Sequence, residues 1–157
     1  MLAIGLAVSM KDGRPCVHLV AVDDSGGSPA LVLAVEVTSS DTDTATQLLD
    51  LARSLGTRLQ GLAPVGRAVV RRADKGRTPR DTDGPKVRLM AEGAAAVALR
   101  QRVPTVDVGP GVQVGHWHGT DKATADAEGT ALVTAAGNGR VFGPAAAAAL
   151  AALALGP

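Results

Sequence analysis

Residues 86–109, KVRLMAEGAAAVALRQRVPTVDVG, run from a helical pattern into a strand, with a proline between the two. The pattern predicts a helix over residues 81–102 and a strand after Pro104, which ends the helix. Gly93 and the alanines around it favour close packing of the helix against a sheet. A helix that leads into a strand in this way is typical of a crossover between parallel strands. Its predicted apolar face comprises Val87, Met90, Ala91, Ala94 and Val97.

The first part of the chain predicts an antiparallel meander. Its three apolar, valine-rich runs are short and bounded by turn residues. Asp12 and Gly13 lie between the first two runs and suit a tight hairpin turn, since both residue types tolerate positive φ. The three predicted strands occupy residues 2–9, 16–23 and 29–38.

The rest of the chain alternates helices with strands, so that the full order is β-β-β-α-β-α-β-α-α. This order predicts a single α/β domain over residues 1–157, with a mixed five-stranded sheet flanked by helices. Strands 1–3 are expected to be antiparallel, and the later crossovers parallel and right-handed. The further segments are a helix with Ser40 or Asp41 as its N-cap, a fourth strand at residues 66–72, a loop at residues 110–119, a helix from about Asp121 to Ala135 and an alanine-rich helix after Pro144.

The composition limits both the core and the location of the protein. Trp117 and Phe142 are the only aromatic residues, so aliphatic and small side chains must fill the core. The single cysteine, Cys16, excludes an internal disulfide and lies in an apolar run, which favours a buried free thiol over a nucleophile. No signal-peptide pattern opens the chain, and the apolar run at residues 143–157 is shorter than the roughly 20 residues of a membrane span. We therefore expect a cytoplasmic protein that does not bind membranes.

Three segments of the sequence resemble parts of a known protein family. They are LAIGLAVS at residues 2–9, KVRLMAEGAAAVALRQRVPTVDVGPGVQV at residues 86–114, and TADAEGTALV at residues 124–133. They resemble the first strand, the central helix with its following strand, and the C-terminal acidic helix of RuvC-type Holliday-junction resolvases. The resemblance implies a ribonuclease H-like fold and covers most of the chain.

The same resemblance implies a metal site that this sequence has largely lost. Members of the family are expected to hold two divalent ions with four carboxylates, one ion for the attacking water and one for the leaving oxygen. Ala7 lies where the first strand should supply an acid, and Arg71 lies at the position expected for the second. In the acidic helix Asp126 matches one ligand, whereas Gly129 falls where another is expected. The resemblance therefore implies a degenerate resolvase, a pseudoenzyme with no catalytic residue and no cofactor.

Half of the basic residues fall in one segment of the chain. Residues 67–88 contain eight of the 16 Lys and Arg residues and three acids, a net charge of +5, while the remainder carries −4. Such a charge separation attracts polyanions and predicts phosphate contacts with duplex or branched DNA, although a solvated loop has a similar composition. The scarcity of aromatic residues disfavours a platform for stacking single-stranded bases. The predicted nucleic-acid-binding residues are Arg67, Arg71, Arg72, Lys75, Arg77, Arg80, Lys86 and Arg88.

Arg71 has a second interpretation, as a structural ion pair with Asp126 or Asp107 in the vacated metal site. A structural pair and a phosphate contact explain an arginine at the end of a strand equally well.

The three histidines raise the question of a transition-metal site. His116 and His118, two residues apart in a segment expected to be extended, could share an ion, and His18 follows Cys16 on the same face of a strand. No recognised ligand spacing accompanies them, so hydrogen-bonded histidines beside a packing Trp117 are the simpler interpretation.

Three functional hypotheses follow. The first is a non-catalytic, DNA-binding relative of a Holliday-junction resolvase, and the second is a protein-interaction or assembly subunit on the same fold. The third is a nuclease that uses Mg²⁺ or Mn²⁺ and relocated carboxylates such as Asp74, Asp121 or Glu128. We also expect a homodimer, because the resembling resolvases act as dimers and the small residues of the terminal helix suit either the core or a dimer seam.

Overall fold

The computed structural model describes residues 1–74 and 83–157, which form a mixed sheet with helices packed on it. The strands are β1 (Leu2–Lys11), β2 (Arg14–Asp23), β3 (Ala30–Val37), β4 (Val65–Arg72) and β5 (Thr105–Pro110). The helices are α1 (Thr44–Gln60), α2 (Asp83–Arg100), α3 (Gly111–His118), α4 (Lys122–Ala135) and α5 (Gly143–Leu155), with a short 3-10 turn at Arg140–Phe142. Over these described residues, no helix combines the length and the hydropathy needed to cross a membrane.

The five strands lie in the order β3-β2-β1-β4-β5. β2 runs antiparallel to both β1 and β3, whereas β4 runs parallel to both β1 and β5. Asp12 and Gly13 turn the β1–β2 hairpin with φ angles of 51° and 75°, in the region that two-residue hairpin loops require. The predicted mixed five-stranded α/β sheet is confirmed.

β1 divides the core between the two faces of the sheet, because side chains alternate along a strand. Ile4 and Leu6 are fully buried in a cluster with the leucines of α1 and the alanines of α2. Ala3 and Ala7 point to the other face and pack among the alanines of α5. The sheet therefore has one face of large aliphatic residues and one face where small residues admit a close helix.

The C-terminal helix α5 is the centre of the second face. It packs against β1, β2, β4, α3 and α4, and its alanines at residues 145–149, 151 and 152 have no exposed surface. Its small residues are therefore covered within the chain, and the helix belongs to the core rather than to a dimer seam.

The packing face of α2 differs from the face expected from the sequence. Met90 is 45% exposed and Val97 is 63% exposed, and a Cβ added at Gly93 would meet open space. An alanine-rich helix offers several faces of similar hydropathy, so the pattern does not specify which one packs. The residues that α2 buries are Ala91, Glu92, Ala95, Ala98 and Leu99.

Two boundaries also differ from expectation. The expected loop at residues 110–119 is helix α3, which begins after Pro110 and ends at Gly119 with φ 81°. A proline before a helix and a left-handed glycine after it are helix-terminus signals as well as loop signals. The N-cap of α1 is Asp43 rather than Ser40 or Asp41, since its carboxylate accepts the Thr46 N–H at 2.8 Å.

α5 approaches the backbone of β1 very closely at Gly5. A Cβ there would overlap backbone atoms of Ala145 and Ala149, which no side-chain rotation can relieve. We expect Gly5→Ala to lower the free energy of unfolding by at least about 3 kcal/mol, measured by urea denaturation. The matched control is Gly93→Ala in the exposed part of α2, expected to raise stability by about 0.5–1 kcal/mol. A Gly5→Ala variant as stable as the parent would contradict the packing of α5.

Candidate nucleic-acid interface

One row of residues crosses the sheet on the face covered by α4 and α5. Each member is the direct cross-strand partner of the next, and paired residues point to the same face of a sheet. The row runs from β3 to β5 through Glu36, His18, Ala7, Arg71 and Gly109. Ala7 thus separates a histidine on one side from an arginine on the other.

Arg71 lies at the carboxyl end of β4 and is only 7% exposed. Its guanidinium donates to both carboxylate oxygens of Asp126 on α4, with Nη2 3.1 Å from Oδ2 and Nη1 bonded to Oδ1. The Asp74 carboxylate lies 3.6 Å from Nη2. A bidentate bond of this kind fixes the plane of the guanidinium and gives a buried cation its counter-ion.

Lys122 completes a charge cluster, which consists of Arg71, Asp74, Lys122 and Asp126. Its Nζ lies 3.1 Å from Asp126 Oδ2 and 3.4 Å from Asp74 Oδ2. The hydrogen bond to Asp126 raises the pKa of Lys122. Burial opposes the ionisation of Asp126, but the hydrogen bonds from Arg71 and Lys122 outweigh it and hold the pKa of this carboxyl below its usual value. The cluster therefore contains two cations and two anions, and these charges neutralise one another.

The backbone around α3 and α4 holds this cluster in place. Asp74 accepts the N–H of Gly111, at the first turn of α3, at 3.0 Å. A Cβ at Gly111 would lie 2.7 Å from Arg71 Nη2 and 2.7 Å from Lys122 Cε, so a side chain at this position would displace the ends of these two cations. Asp121 caps α4 by accepting the Thr124 N–H at 2.8 Å. These contacts bring β4, α3 and α4 together at the cluster.

The residues at this position do not fit a pair of divalent ions, which need several carboxylates free to coordinate them. Ala7 contributes a methyl group beside Arg71. Asp74 and Asp126 both pair with cations of the protein. Gly129 faces α5 so closely that a Cβ would lie 2.5 Å from Ala147 N, and an acid at this position would require the helices to separate.

The carboxylates considered as relocated ligands have structural partners. Asp74 belongs to the charge cluster, and Asp121 is the N-cap of α4. Glu128 lies 2.6 Å from Nε2 of His118. His118 and His116 lie on α3, so the expected extended segment, with both histidines on one side, is wrong. Residues two apart on a helix do not face each other, and the pair cannot share an ion as proposed from the sequence.

The basic segment is only partly within the described residues. Lys75, Arg77 and Arg80 lie outside them. Arg67 pairs with Asp107 at 3.5 Å, which is the acid that the sequence offered as a partner for Arg71. Arg72 and Lys86 are exposed, at the end of β4 and in the first turn of α2.

Glu92, on α2, contacts the chain just after β4 and also Arg88 in the first half of α2. Its side chain is 3% exposed and accepts the Ala73 N–H at 2.8 Å, while Arg88 Nε lies 3.5 Å from the same carboxylate. Burial raises the pKa of Glu92 despite these partners. Arg72 and Arg88 therefore both lie near the same buried acid.

Sequence reasoning identified Arg71 and Asp126 as possible partners but missed Asp74 and Lys122. The spacing of Lys122 and Asp126, four residues apart on a predicted helix, was the available signal. Asp74 gave no such signal, because its contacts depend on where β4 ends relative to α3.

No protein-family model matches the chain, and no curated protein matches it by sequence. Solved structures do match it. Thermus thermophilus RuvC in complex with a Holliday junction substrate superposes with a TM-score of 0.67 at 18% identity, covering 96% of this chain and 91% of that chain. A second T. thermophilus RuvC structure gives a TM-score of 0.59 at 20% identity, covering 96% of this chain and 92% of that chain. The chain thus has the ribonuclease H-like fold of RuvC Holliday-junction resolvases.

Removing the Asp126 carboxylate tests the charge cluster. Asp126→Asn leaves the Arg71 guanidinium buried with an incomplete counter-ion, and we expect the free energy of unfolding to fall by about 2–4 kcal/mol at neutral pH. The double variant Arg71→Met, Asp126→Asn is expected to be more stable than Asp126→Asn alone, because the buried charge is gone. Urea denaturation of both variants and the parent measures the difference.

The adjacent exposed arginine provides the control, since Arg72→Met is expected to change stability by at most about 0.5 kcal/mol. The effect of Asp126→Asn should shrink as the pH falls through the depressed pKa of Asp126, because the parent carboxyl is then protonated too. Equal stability of parent and Asp126→Asn at neutral pH would show that the pair contributes nothing.

Proposed function

We propose that this protein is a non-catalytic, nucleic-acid-binding relative of Holliday-junction resolvases, which binds duplex or branched DNA through its basic segment. The observation that carries the proposal is the bidentate bond of Arg71 to Asp126 beside Ala7. On a fold shared with a RuvC structure in complex with a Holliday junction substrate, this bond puts protein cations beside the carboxylates that a nuclease would use for metal ions. The scaffold is retained and the chemistry that needs divalent ions is not supported by the residues present.

The proposed phosphate contacts come from the end of β4 and the start of α2. Arg72 and Lys86 are exposed there, and the Arg88 side chain is 35% exposed. The segment between residues 74 and 83 adds Lys75, Arg77 and Arg80 in sequence. Arg71 and Arg67 are assigned a different role, because their side chains are only 8% and 18% exposed and are directed at acids of the protein.

The described surface favours backbone contacts over base readout. Trp117 packs against Gly109, where a Cβ would lie 2.7 Å from its ring, and Phe142 packs edge-on against His18. Both residues are half-buried and their rings pack on other residues of the protein, which disfavours them as stacking platforms for bases. Binding is therefore proposed to be sequence-independent and to weaken steeply with salt.

Salt-dependent binding to DNA tests the proposal. Fluorescence anisotropy with a four-way junction and a linear duplex, measured at several salt concentrations, gives the slope of log affinity against log salt. The variant Arg72→Ala, Lys86→Ala should reduce this slope by about 2, since each phosphate contact contributes about 0.9. Arg53→Ala, Arg58→Ala on α1 is the matched control, with the same loss of charge outside the basic segment.

Three outcomes would contradict the proposal. The first is absence of binding at low ionic strength, and the second is an equal loss of slope in the control variant. The third is nicking that depends on Mg²⁺ or Mn²⁺ and disappears in folded Asp126→Asn, which would establish the nuclease alternative. Arg71→Ala is expected to lower stability without changing the salt slope, which separates its structural role from a phosphate contact.

The exposed face of α2 favours a role in assembly as well, and we propose that it forms a homodimer contact. Leu89 is 59% exposed, Met90 45% and Val97 63%, and Gly93 between them leaves room for a second helix to approach. Apolar side chains grouped in this way on one helix are typical of protein interfaces.

Sedimentation analysis over a range of protein concentrations tests this contact. The variant Leu89→Lys, Val97→Lys should shift a dimeric parent to monomer, because two buried ammonium groups would lack partners. Val141→Lys is the control, an apolar residue that is 49% exposed and lies in the 3-10 turn before α5. A monomeric parent at all concentrations, or a dimer that persists in the double variant, would show that α2 is not the seam.

A further inference from the structure

A second cluster of reactive side chains lies on the other side of Ala7. Cys16 and His18 are two residues apart on β2 and therefore point to the same face of the sheet. Glu36 is the direct partner of His18 on β3, so its side chain points to this face as well. One ligand atom from each of the three residues lies within 4.8 Å of those of the other two. Within residues 1–74 and 83–157 this is the only group of three or more Cys, His, Asp and Glu side chains arranged to hold a metal ion.

The His18 ring is buried with one nitrogen unsatisfied. It is 2% exposed, and Nδ1 has no hydrogen-bond partner, although the Glu36 carboxylate lies 4.0 Å from it. Nε2 lies 2.9 Å from Ser9 Oγ and 3.8 Å from Cys16 Sγ. A buried polar atom without a partner is rare and requires an explanation. Burial also lowers the pKa of His18, which favours the neutral imidazole that binds metals.

The three groups lie near one another, at separations larger than those between the ligands of a tetrahedral metal site. Zn–S and Zn–N bonds of about 2.3 and 2.0 Å place neighbouring ligand atoms about 3.3–3.6 Å apart. Nδ1 of His18, the ring nitrogen that remains for an ion while Nε2 is bonded to Ser9, lies 4.0 Å from Glu36, whereas the 3.8 Å to Cys16 is measured from Nε2. Glu36 and Cys16, whose ligand atoms lie within 4.8 Å of that of His18, would therefore both move closer to Nδ1 when an ion binds. Ordinary side-chain rotation about Glu36, which is 38% exposed, can close such a gap. A hydroxyl at Ser9 can hold the ring in the required orientation, as outer-shell partners of metal-bound histidines do.

The cluster borders a surface pocket through its exposed member Glu36, while Cys16 is only 1% exposed. Cys16 and Glu36 line a surface pocket of about 480 Å³ at the β1–β2 hairpin, together with Lys11, Arg14 and Ser39. An ion could enter from this pocket, and a water molecule could occupy a fourth coordination position there. Burial and the nearby Glu36 raise the pKa of the Cys16 thiol to about 11, so the thiol is protonated until a cation displaces the proton.

We propose that Cys16, His18 and Glu36 bind one divalent transition-metal ion of the zinc class. Thiolate and imidazole are ligands that favour Zn²⁺ and Co²⁺ over Mg²⁺ and Ca²⁺, and the carboxylate adds charge without changing that preference. The site is separate from the charge cluster and does not depend on the proposed DNA binding. It would link β2 and β3 through side chains, in addition to their backbone hydrogen bonds.

Titration of the purified protein with Co²⁺ is the test. Cys16 is the only cysteine, so a thiolate-to-cobalt charge-transfer absorption can arise only from this residue. We expect one Co²⁺ per chain with this absorption, and its displacement by Zn²⁺. Glu36→Gln, at a partly exposed position where folding should persist, is expected to weaken Co²⁺ binding at least about tenfold. Cys16→Ser should remove the charge-transfer absorption, with folding checked by circular dichroism.

His116→Asn is the matched control, since His116 is an exposed histidine remote in sequence from the cluster. Its Co²⁺ affinity and spectrum should equal those of the parent. Absence of a thiolate-to-cobalt band in the parent would overturn the proposal, because no other cysteine could supply it. An affinity unchanged in Glu36→Gln, or lost in His116→Asn, would overturn the assignment of the three ligands.

Discussion

The bidentate bond between Arg71 and Asp126 is the contact on which the functional interpretation depends. It joins the end of β4 to α4 across the sheet face, and it neutralises a guanidinium that is 7% exposed. Removing either side chain would leave the charge of the other without a counter-ion, in an environment that solvates charges poorly. Lys122 and Asp74 extend the same neutralisation, so the four charges form one unit. Because the carboxylates of the charge cluster already pair with cations of the protein, the cluster has little capacity to attract free cations.

The second constraint is the closeness of α5 to the sheet. Ala7, at the centre of the row of residues across the sheet, and Gly5, two residues before it on β1, are both small. Their size allows the alanine-rich helix α5 to lie directly against the strand. The same closeness explains why Gly129 carries no side chain, since α4 packs on α5 at this position. The row is thereby divided into two polar halves, an ion-paired half around Arg71 and a half around His18 with an unsatisfied nitrogen.

The sequence predicted the sheet well, because apolar runs with turn residues between them specify strands locally. It failed for the face of α2 and for α3, where alanine, glycine and proline permit more than one structure. The resemblance located Ala7, Arg71 and Asp126, but the partners of Arg71 depend on how three elements converge. Glu36 was missed for a related reason, since only the register of β2 against β3 places it opposite His18.

The features that make the position around Ala7 and Arg71 unsuited to a pair of divalent ions are distributed over several elements, and no single substitution would reverse them. An aspartate in place of Ala7 would lie beside Arg71, which would bind the new carboxylate as it binds Asp126. Replacing Arg71 as well would free Asp126 only in part, because Lys122 contacts the same oxygen. An acid at position 129 would still be excluded by the backbone of α5. The packing of the helices and the pairing of the charges thus support each other, and the fold is stable in a form in which its carboxylates neutralise cations of the protein.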